Sequence, residues 1–186
     1  MGKQKEKAGP QIGGGKGGND MNIEIREGAV ALLRFKTRDG MNKMLDPLSN
    51  AIEGSISNRL GHNFILSEKV ASHVALRKSC NIPKQVKYLI GTLDGDAHSI
   101  RHEMCHARFY LDPDYKVLVG EVWSNKLADS QRNLITGFLN RLKYDSCVHI
   151  DEFQAYLVTE KSNFFGIDLS DLQDDLSHSF PPGSWR

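Results

Sequence analysis

The chain has 186 residues, 39% of them hydrophobic and 25% charged, with 24 Lys+Arg against 23 Asp+Glu. This length and hydrophobic share exclude global disorder and suit one domain with a tail. The longest apolar stretch, residues 29–33, is far too short to cross a bilayer, and the balanced charge argues against a protein that coats nucleic acid. We therefore expect neither a membrane nor a nucleic acid as a partner. Three cysteines are too few, and odd in number, for a disulfide scaffold, which predicts a reducing, cytoplasmic compartment.

The N-terminal half of the chain predicts a leader followed by a small sheet. Residues 1–20 are rich in glycine and lysine and poor in apolar side chains, so a flexible tail is expected ahead of a single domain over residues 21–186. Asp46-Pro47, followed by apolar residues at every fourth position, predicts a helix that begins there and is closed by Gly61. The β-prone apolar runs predict four strands, over residues 30–35, 63–66, 69–76 and 86–93.

The second half turns helical, and its first helix is predicted over residues 96–111, DAHSIRHEMCHARFYL. Asp96 is a suitable N-cap, and Asp112-Pro113 ends the pattern. On a helical wheel the histidines share one side and the apolar stripe lies opposite. The histidines are His98, His102 and His106, and the stripe is Ile100, Met104, Ala107 and Leu111. Such a helix can pack into a core while it presents imidazole groups on its other side.

Within this helix His102, Glu103 and His106 form an HExxH pattern. Two imidazoles one turn apart can bind one Zn²⁺, and the glutamate after the first histidine can take a proton from a metal-bound water. The alternative is a pair of solvated surface histidines. His98 is about 12 Å from His106 along the helix axis, too far to share one ion. Cys105 falls off the histidine side, so a packed thiol is expected there.

A catalytic zinc needs a third protein ligand, and the best candidate is Glu152, in a second predicted helix around residues 150–157. Ala155 on the same helix would allow close approach to the helix that carries His102 and His106. A further amphipathic helix over residues 129–144 would supply a hydrophobic wall beneath the metal site. The alternative for Glu152 is an exposed helix carboxylate. Other residues that could be the third ligand are Asp151, His149, Asp145 and Glu121.

The HEMCHA sequence at 102–107 and the Glu-x-x-Ala pattern at 152–155 resemble zincin-type metallopeptidases of the glutamate-ligand, gluzincin-like branch. The resemblance implies His102, His106 and Glu152 as zinc ligands and Glu103 as the general base. It also implies an α+β, zincin-like fold, in which an edge strand of a small N-terminal β-sheet packs on the active-site helix and the C-terminal half is helical. Residues 88–93 occupy the position of that edge strand and would bind extended peptide by strand addition.

The residue four positions after Glu152 is Tyr156, where many glutamate-ligand families have an aspartate that orients the first histidine. Asp151 or Asp145 is therefore expected to supply that carboxylate. Tyr156 itself is a candidate donor to the developing oxyanion, with Tyr110 and His149 as alternatives. Tyrosines at such positions can equally be wall residues of a cleft.

These observations predict a zinc-dependent peptidase that acts on a peptide or protein substrate, with Zn²⁺ as its cofactor and Glu103 as general base. The alternative is a catalytically silent zincin-like module that acts as a binding or adaptor module and does not hydrolyse peptide bonds. The C-terminal segment 164–186 is compatible with a docked helix, a lid or a loose end, and the sequence indicates no oligomeric state.

Overall fold

A computed structural model describes residues 21–53, 61–179 and 185, and these fall into two compact units that divide after Asp94. The expected tail over residues 1–20 and the expected course of the first helix over residues 54–60 lie outside the described residues. No helix in the described part of the chain is long and apolar enough to cross a membrane.

The N-terminal unit contains a four-stranded mixed sheet. Its strands are β1 (Met21–Arg26), β2 (Val30–Phe35), β3 (His62–Ile65) and β4 (Tyr88–Leu93), in the spatial order β1-β2-β4-β3. β1 pairs antiparallel with β2, β2 pairs parallel with β4, and β3 pairs antiparallel with β4. The strands predicted over 30–35, 63–66 and 86–93 are confirmed, with small differences at their ends.

The interior position of β4 overturns the expected role of residues 88–93. β4 has β2 along residues 88–93 on one side and β3 along residues 88–91 on the other, so over residues 88–91 both of its hydrogen-bonding edges are used within the sheet. Its side chains are almost all buried, as expected for a strand that is covered on both faces. The expectation that this strand binds peptide by strand addition is therefore wrong, because the strands at the sheet edges are β1 and β3.

Two helices of this unit differ from the sequence prediction. Helix α1 (Arg38–Glu53) begins eight positions before Asp46, and Pro47 lies inside it. The Thr37 hydroxyl accepts from the Gly40 amide at 3.2 Å, so the helix is capped upstream of the predicted start. Residues 71–79 form helix α2 (Ala71–Ser79) where a strand was predicted, since His73 and Leu76 bury one helical face.

The C-terminal unit is helical, as predicted. Its helices are α3 (Ala97–Leu111), α4 (Pro113–Glu121), α5 (Asp129–Arg141), α6 (His149–Thr159) and α7 (Ser170–His178). A short π-helical turn (Val122–Lys126) follows α4, and a 3-10 turn (Ser146–Val148) precedes α6. The predicted N-cap is confirmed, because the Asp96 carboxylate accepts from the Ser99 amide at 3.0 Å. Within the segment from residue 164 onwards, residues 170–178 form α7, whose Leu176 is buried in the core.

The core of this unit lies between α3 and α6 and extends over α4, α5 and α7. Phe153, Leu157, Val119, Leu139 and Leu176 are among its buried side chains. Cys105 is buried in the same core, which confirms the expected packed thiol. The chain is therefore an α+β protein with a small mixed sheet and a helical C-terminal half.

Candidate metal centre

Three side chains of the C-terminal unit converge with their ligand atoms within 4.8 Å of one another: His102, His106 and Glu152. The two Nε2 atoms are 3.2 Å apart. The Glu152 carboxylate lies 3.9 Å from Nε2 of His102 through Oε2, and 3.8 Å from Nε2 of His106 through Oε1. Ligand atoms around a tetrahedral Zn²⁺ are about 3.3 Å apart, so small side-chain movements would bring these three to a single ion.

The helices account for this convergence. His102 and His106 are one turn apart on α3, and Glu152 is in the first turn of α6, which packs against α3. The buried Ala155 is small enough to allow that packing. His98, one turn earlier on α3, is exposed and pairs with Glu160 at 2.8 Å, as expected for a residue outside the ligand set.

The environment of Glu152 fits a metal ligand. Its side chain is only 13% exposed, and its Oε2 is buried without a hydrogen-bond partner among the described residues. A carboxylate oxygen removed from water without a partner is costly. Oε2 faces Nε2 of His102, so a cation held between these atoms would satisfy it.

Each histidine is held by its other ring nitrogen. Nδ1 of His106 lies 2.9 Å from Oδ1 of Asp151, and Nδ1 of His102 lies 3.3 Å from the Thr159 hydroxyl. The Thr159 hydroxyl donates its proton to the Ala155 carbonyl at 2.7 Å, so its oxygen accepts from His102. With both Nδ1 atoms acting as donors, the Nε2 atoms can point their lone pairs at the cluster.

The expectation that Asp151 or Asp145 orients the first histidine is wrong, because Asp151 contacts the second histidine, His106. Asp145, the alternative, accepts instead from the Cys147 amide at 2.9 Å in the turn before α6. The partner of Nδ1 of His102 is the hydroxyl of Thr159, which is seven positions after Glu152 on the same helix.

Burial and charge shift the pKa values of all three candidate ligands. Burial, with the nearby charges of His106 and His98, lowers the pKa of His102 to about 3. Burial alone would also lower the pKa of His106, but the charge and hydrogen bond of Asp151, with the charges of Glu152 and Glu103, raise it to about 10. Burial raises the pKa of Glu152 to about 7, against the opposing effect of His106.

Glu103 and Tyr156 both lie close to this cluster. Glu103 is partly exposed, and its charge contributes to the raised pKa values of Glu152 and Tyr156. The Tyr156 ring lies against the His102 ring, with centroids 4.7 Å apart, and its hydroxyl is 2.9 Å from that of Tyr144. Burial, and then the charge of Glu152, raise the pKa of Tyr144.

The other residues considered for the third ligand or for the oxyanion donor have different surroundings. Nε2 of His149 lies 3.2 Å from the Tyr144 carbonyl, and Glu121 and Tyr110 are exposed. Asp151 contacts the outer nitrogen of His106 and Asp145 caps the turn before α6. Among these residues, the structure therefore brings only Glu152 to the two Nε2 atoms.

Four residues that support the site were not assigned these contacts from the sequence: Thr159, Tyr144, Gln154 and Tyr115. Two of these contacts join residues that are distant along the chain, since His102 and Thr159 are 57 positions apart and Tyr115 and Gln154 are 39 positions apart. Gln154 alone carried a usable signal, because it is a polar residue between the apolar Phe153 and Ala155 of an amphipathic helix, and it is fully buried. Comparisons with protein-family models, with curated proteins and with solved structures find no match to this chain.

Proposed function

We propose that the chain is a zinc-dependent peptidase of the zincin type, with a glutamate as third ligand. The observation that carries this proposal is the convergence of two imidazole Nε2 atoms with a buried carboxylate oxygen that lacks a hydrogen-bond partner within the described residues. The sequence pattern HExxH places a glutamate directly after the first of these histidines.

His102, His106 and Glu152 would hold the ion, and this leaves one coordination position of a tetrahedral site open. A bound zinc ion supplies Lewis acidity, and it lowers the pKa of a coordinated water to about 7. Asp151 and Thr159 keep the two imidazole rings oriented by accepting from their Nδ1 atoms.

Glu103 is the proposed general base. It follows a ligand on α3, it is partly open to solvent, and its charge acts on the pKa values of Glu152, His106 and Tyr156. A carboxylate in this position can accept a proton from the attacking water and pass it to the leaving amine.

Tyr156 is the proposed donor to the oxyanion of the reacting peptide. The Tyr156 hydroxyl shares one hydrogen bond with the Tyr144 hydroxyl, at 2.9 Å. The raised pKa of Tyr156, caused first by burial, keeps its hydroxyl protonated. On substrate binding this proton could be redirected to a carbonyl oxygen that develops negative charge.

The proposed substrate is a peptide or protein, and the proposed compartment is the cytoplasm. The three cysteines are free, in keeping with a reducing compartment.

Zinc content and turnover of the Glu103→Gln variant test this function. We expect Glu103→Gln to bind zinc stoichiometrically, as measured by elemental analysis, and to lose at least about 100-fold in kcat/KM on a peptide library. Glu121 is an exposed glutamate on α4. The Glu121→Gln variant is therefore the matched control and should equal the parent in both measurements.

Three outcomes would contradict the proposal at different points. Unchanged turnover in Glu103→Gln would remove Glu103 as the base. Zinc binding by the parent without turnover on the library would favour the catalytically silent module. Zinc retained by Glu152→Ala as tightly as by the parent would show that Glu152 is not a ligand.

A further inference from the structure

A chain of buried polar side chains extends from His106 away from the metal cluster. Oδ1 of Asp151 accepts from Nδ1 of His106 at 2.9 Å and from the Gln154 amide at 3.0 Å. The Gln154 carbonyl oxygen accepts from the Tyr115 hydroxyl at 2.9 Å. All four side chains are buried, and Gln154 is fully buried.

The direction of these hydrogen bonds is fixed by their chemistry. The end of the Gln154 amide that faces Asp151 must be its NH₂, because a carbonyl oxygen there would lie 3.0 Å from another acceptor. The opposite end is then an acceptor, which requires the Tyr115 hydroxyl to donate. Asp151 therefore fixes which end of the amide faces it, and the Tyr115 hydroxyl holds the other end of the amide in place.

The same oxygen of Asp151 accepts from Gln154 and from His106. Any movement of the carboxylate that breaks the first hydrogen bond also displaces the atom that holds the imidazole ring. Tyr115 is itself fixed on α4, since its amide is bonded to Asp112 at 3.1 Å and the Arg108 guanidinium lies 3.8 Å from its ring centroid. The chain thus connects the ring of His106 on α3 to rigid positions on α6 and α4.

We propose that Gln154 and Tyr115 are positioning residues for His106. Through Asp151 they hold the imidazole ring in the orientation that directs its Nε2 at His102 and Glu152. This inference rests on the proposed function, because the ring orientation matters for zinc, but the orientation itself is a property of the zinc-free protein.

The test uses two variants. Tyr115→Phe removes only the hydroxyl, and Gln154→Met removes the amide but keeps the length and the apolar stem of the side chain. Zinc Kd is measured by competition with a chromophoric chelator, and we expect it to rise about tenfold in each variant. In zinc-free protein with ¹⁵N-labelled histidine, the Nδ1 proton resonance of His106 should broaden or disappear in both variants because the carboxylate is no longer held.

Tyr88→Phe is the matched control. Tyr88 is a fully buried tyrosine of the N-terminal unit, and its hydroxyl donates to the Asn63 side chain at 2.7 Å. This variant also loses one tyrosine hydrogen bond to a side-chain amide, so it should change thermal stability without changing zinc Kd or the His106 resonance.

Unchanged zinc Kd and an unchanged His106 resonance in Tyr115→Phe and Gln154→Met would overturn the inference, even if both variants melted at lower temperature. Failure of the parent to bind zinc would instead overturn the proposed function. In that event the His106 resonance of the zinc-free proteins decides the positioning role on its own.

Discussion

Asp151 gives His106 a counter-charge as well as an orientation. In the zinc-free protein the pKa of His106 is raised to about 10, so this residue is a cation at neutral pH, and the pKa of Glu152 is about 7. A metal needs the imidazole nitrogen and the carboxylate without their protons. Zinc bound at the proposed site would therefore displace a proton from His106, and below neutral pH a second one from Glu152.

Zinc affinity should consequently depend steeply on pH. Between about pH 7.5 and 9 we expect the affinity to rise about tenfold per pH unit, because one proton is displaced, and to change more steeply below pH 7. In Asp151→Asn the charge that raises the pKa of His106 is lost, so the dependence above pH 7.5 should flatten. Chelator competition at a series of pH values measures both slopes.

Asp145→Asn is the control for this pH dependence. Asp145 lies near α6 in sequence and caps the turn before it, and asparagine preserves such a cap. Its slope should equal that of the parent. An equally steep slope in Asp151→Asn would show that His106 does not carry the displaced proton.

The residues of the candidate metal site could be predicted one by one because their signals are local. The spacing of His102 and His106 fixes them on one side of a helix, and the glutamate between them completes a recognisable pattern. Glu152 followed from its place in a second amphipathic helix. Thr159 and Tyr144 were not assigned roles, since their contacts depend on how α3, α6 and the preceding turn pack, which no sequence period encodes.

At the scale of elements, α6 supplies most of the site. It carries Glu152, the two polar residues that support His106, and Thr159, while Phe153 and Leu157 anchor the same helix in the core. Because these positions are spaced on one rigid helix, the distance between α6 and α3 sets all of their contacts together. Ala155, which is small and fully buried on α6, is compatible with a short distance between the helices.

Enlarging Ala155 should separate the two helices. We expect Ala155→Leu to lower the free energy of unfolding by about 1–3 kcal/mol through overpacking, as measured by urea denaturation, and to weaken zinc binding by more than about tenfold. Ala97→Leu, the same change at an exposed position in the first turn of α3, should leave both quantities near the parent values. Tight zinc binding by Ala155→Leu would mean that the helix separation does not control the site.

The elements that were predicted poorly from the sequence have patterns that are short or that fit more than one structure. The start of α1 was placed at Asp46-Pro47, a dipeptide typical of helix N-termini, although the buried Met41 and Leu45 continue the apolar stripe upstream of it. Residues 71–79 carry too few apolar residues for their period to separate helix from strand. The histidine helix was predicted well because its N-cap, apolar stripe and terminating Asp112-Pro113 agree with one another.

At the scale of the whole molecule, the described residues form two units with separate cores. The sheet unit has its own cluster of buried side chains, including Leu33, Phe35 and Leu89, and the helical unit has another, including Phe153 and Leu139. All three proposed ligands, and the residues that orient them, belong to the helical unit. The free energy of zinc binding should therefore stabilise the helical unit directly.

Native-state hydrogen exchange can localise that stabilisation. Zinc at 100 times its Kd adds about 2.7 kcal/mol to a folded unit that binds it, so the slowest amides of α3 and α6 should exchange about 100-fold more slowly. The slowest amides of β2 and β4 should keep their rates, because the proposed ligands all lie in the helical unit. His102→Ala removes a ligand and should abolish the protection. Equal protection of β2 and β4 would show that the two units unfold together, and no protection in α3 and α6 would show that the helical unit does not bind zinc.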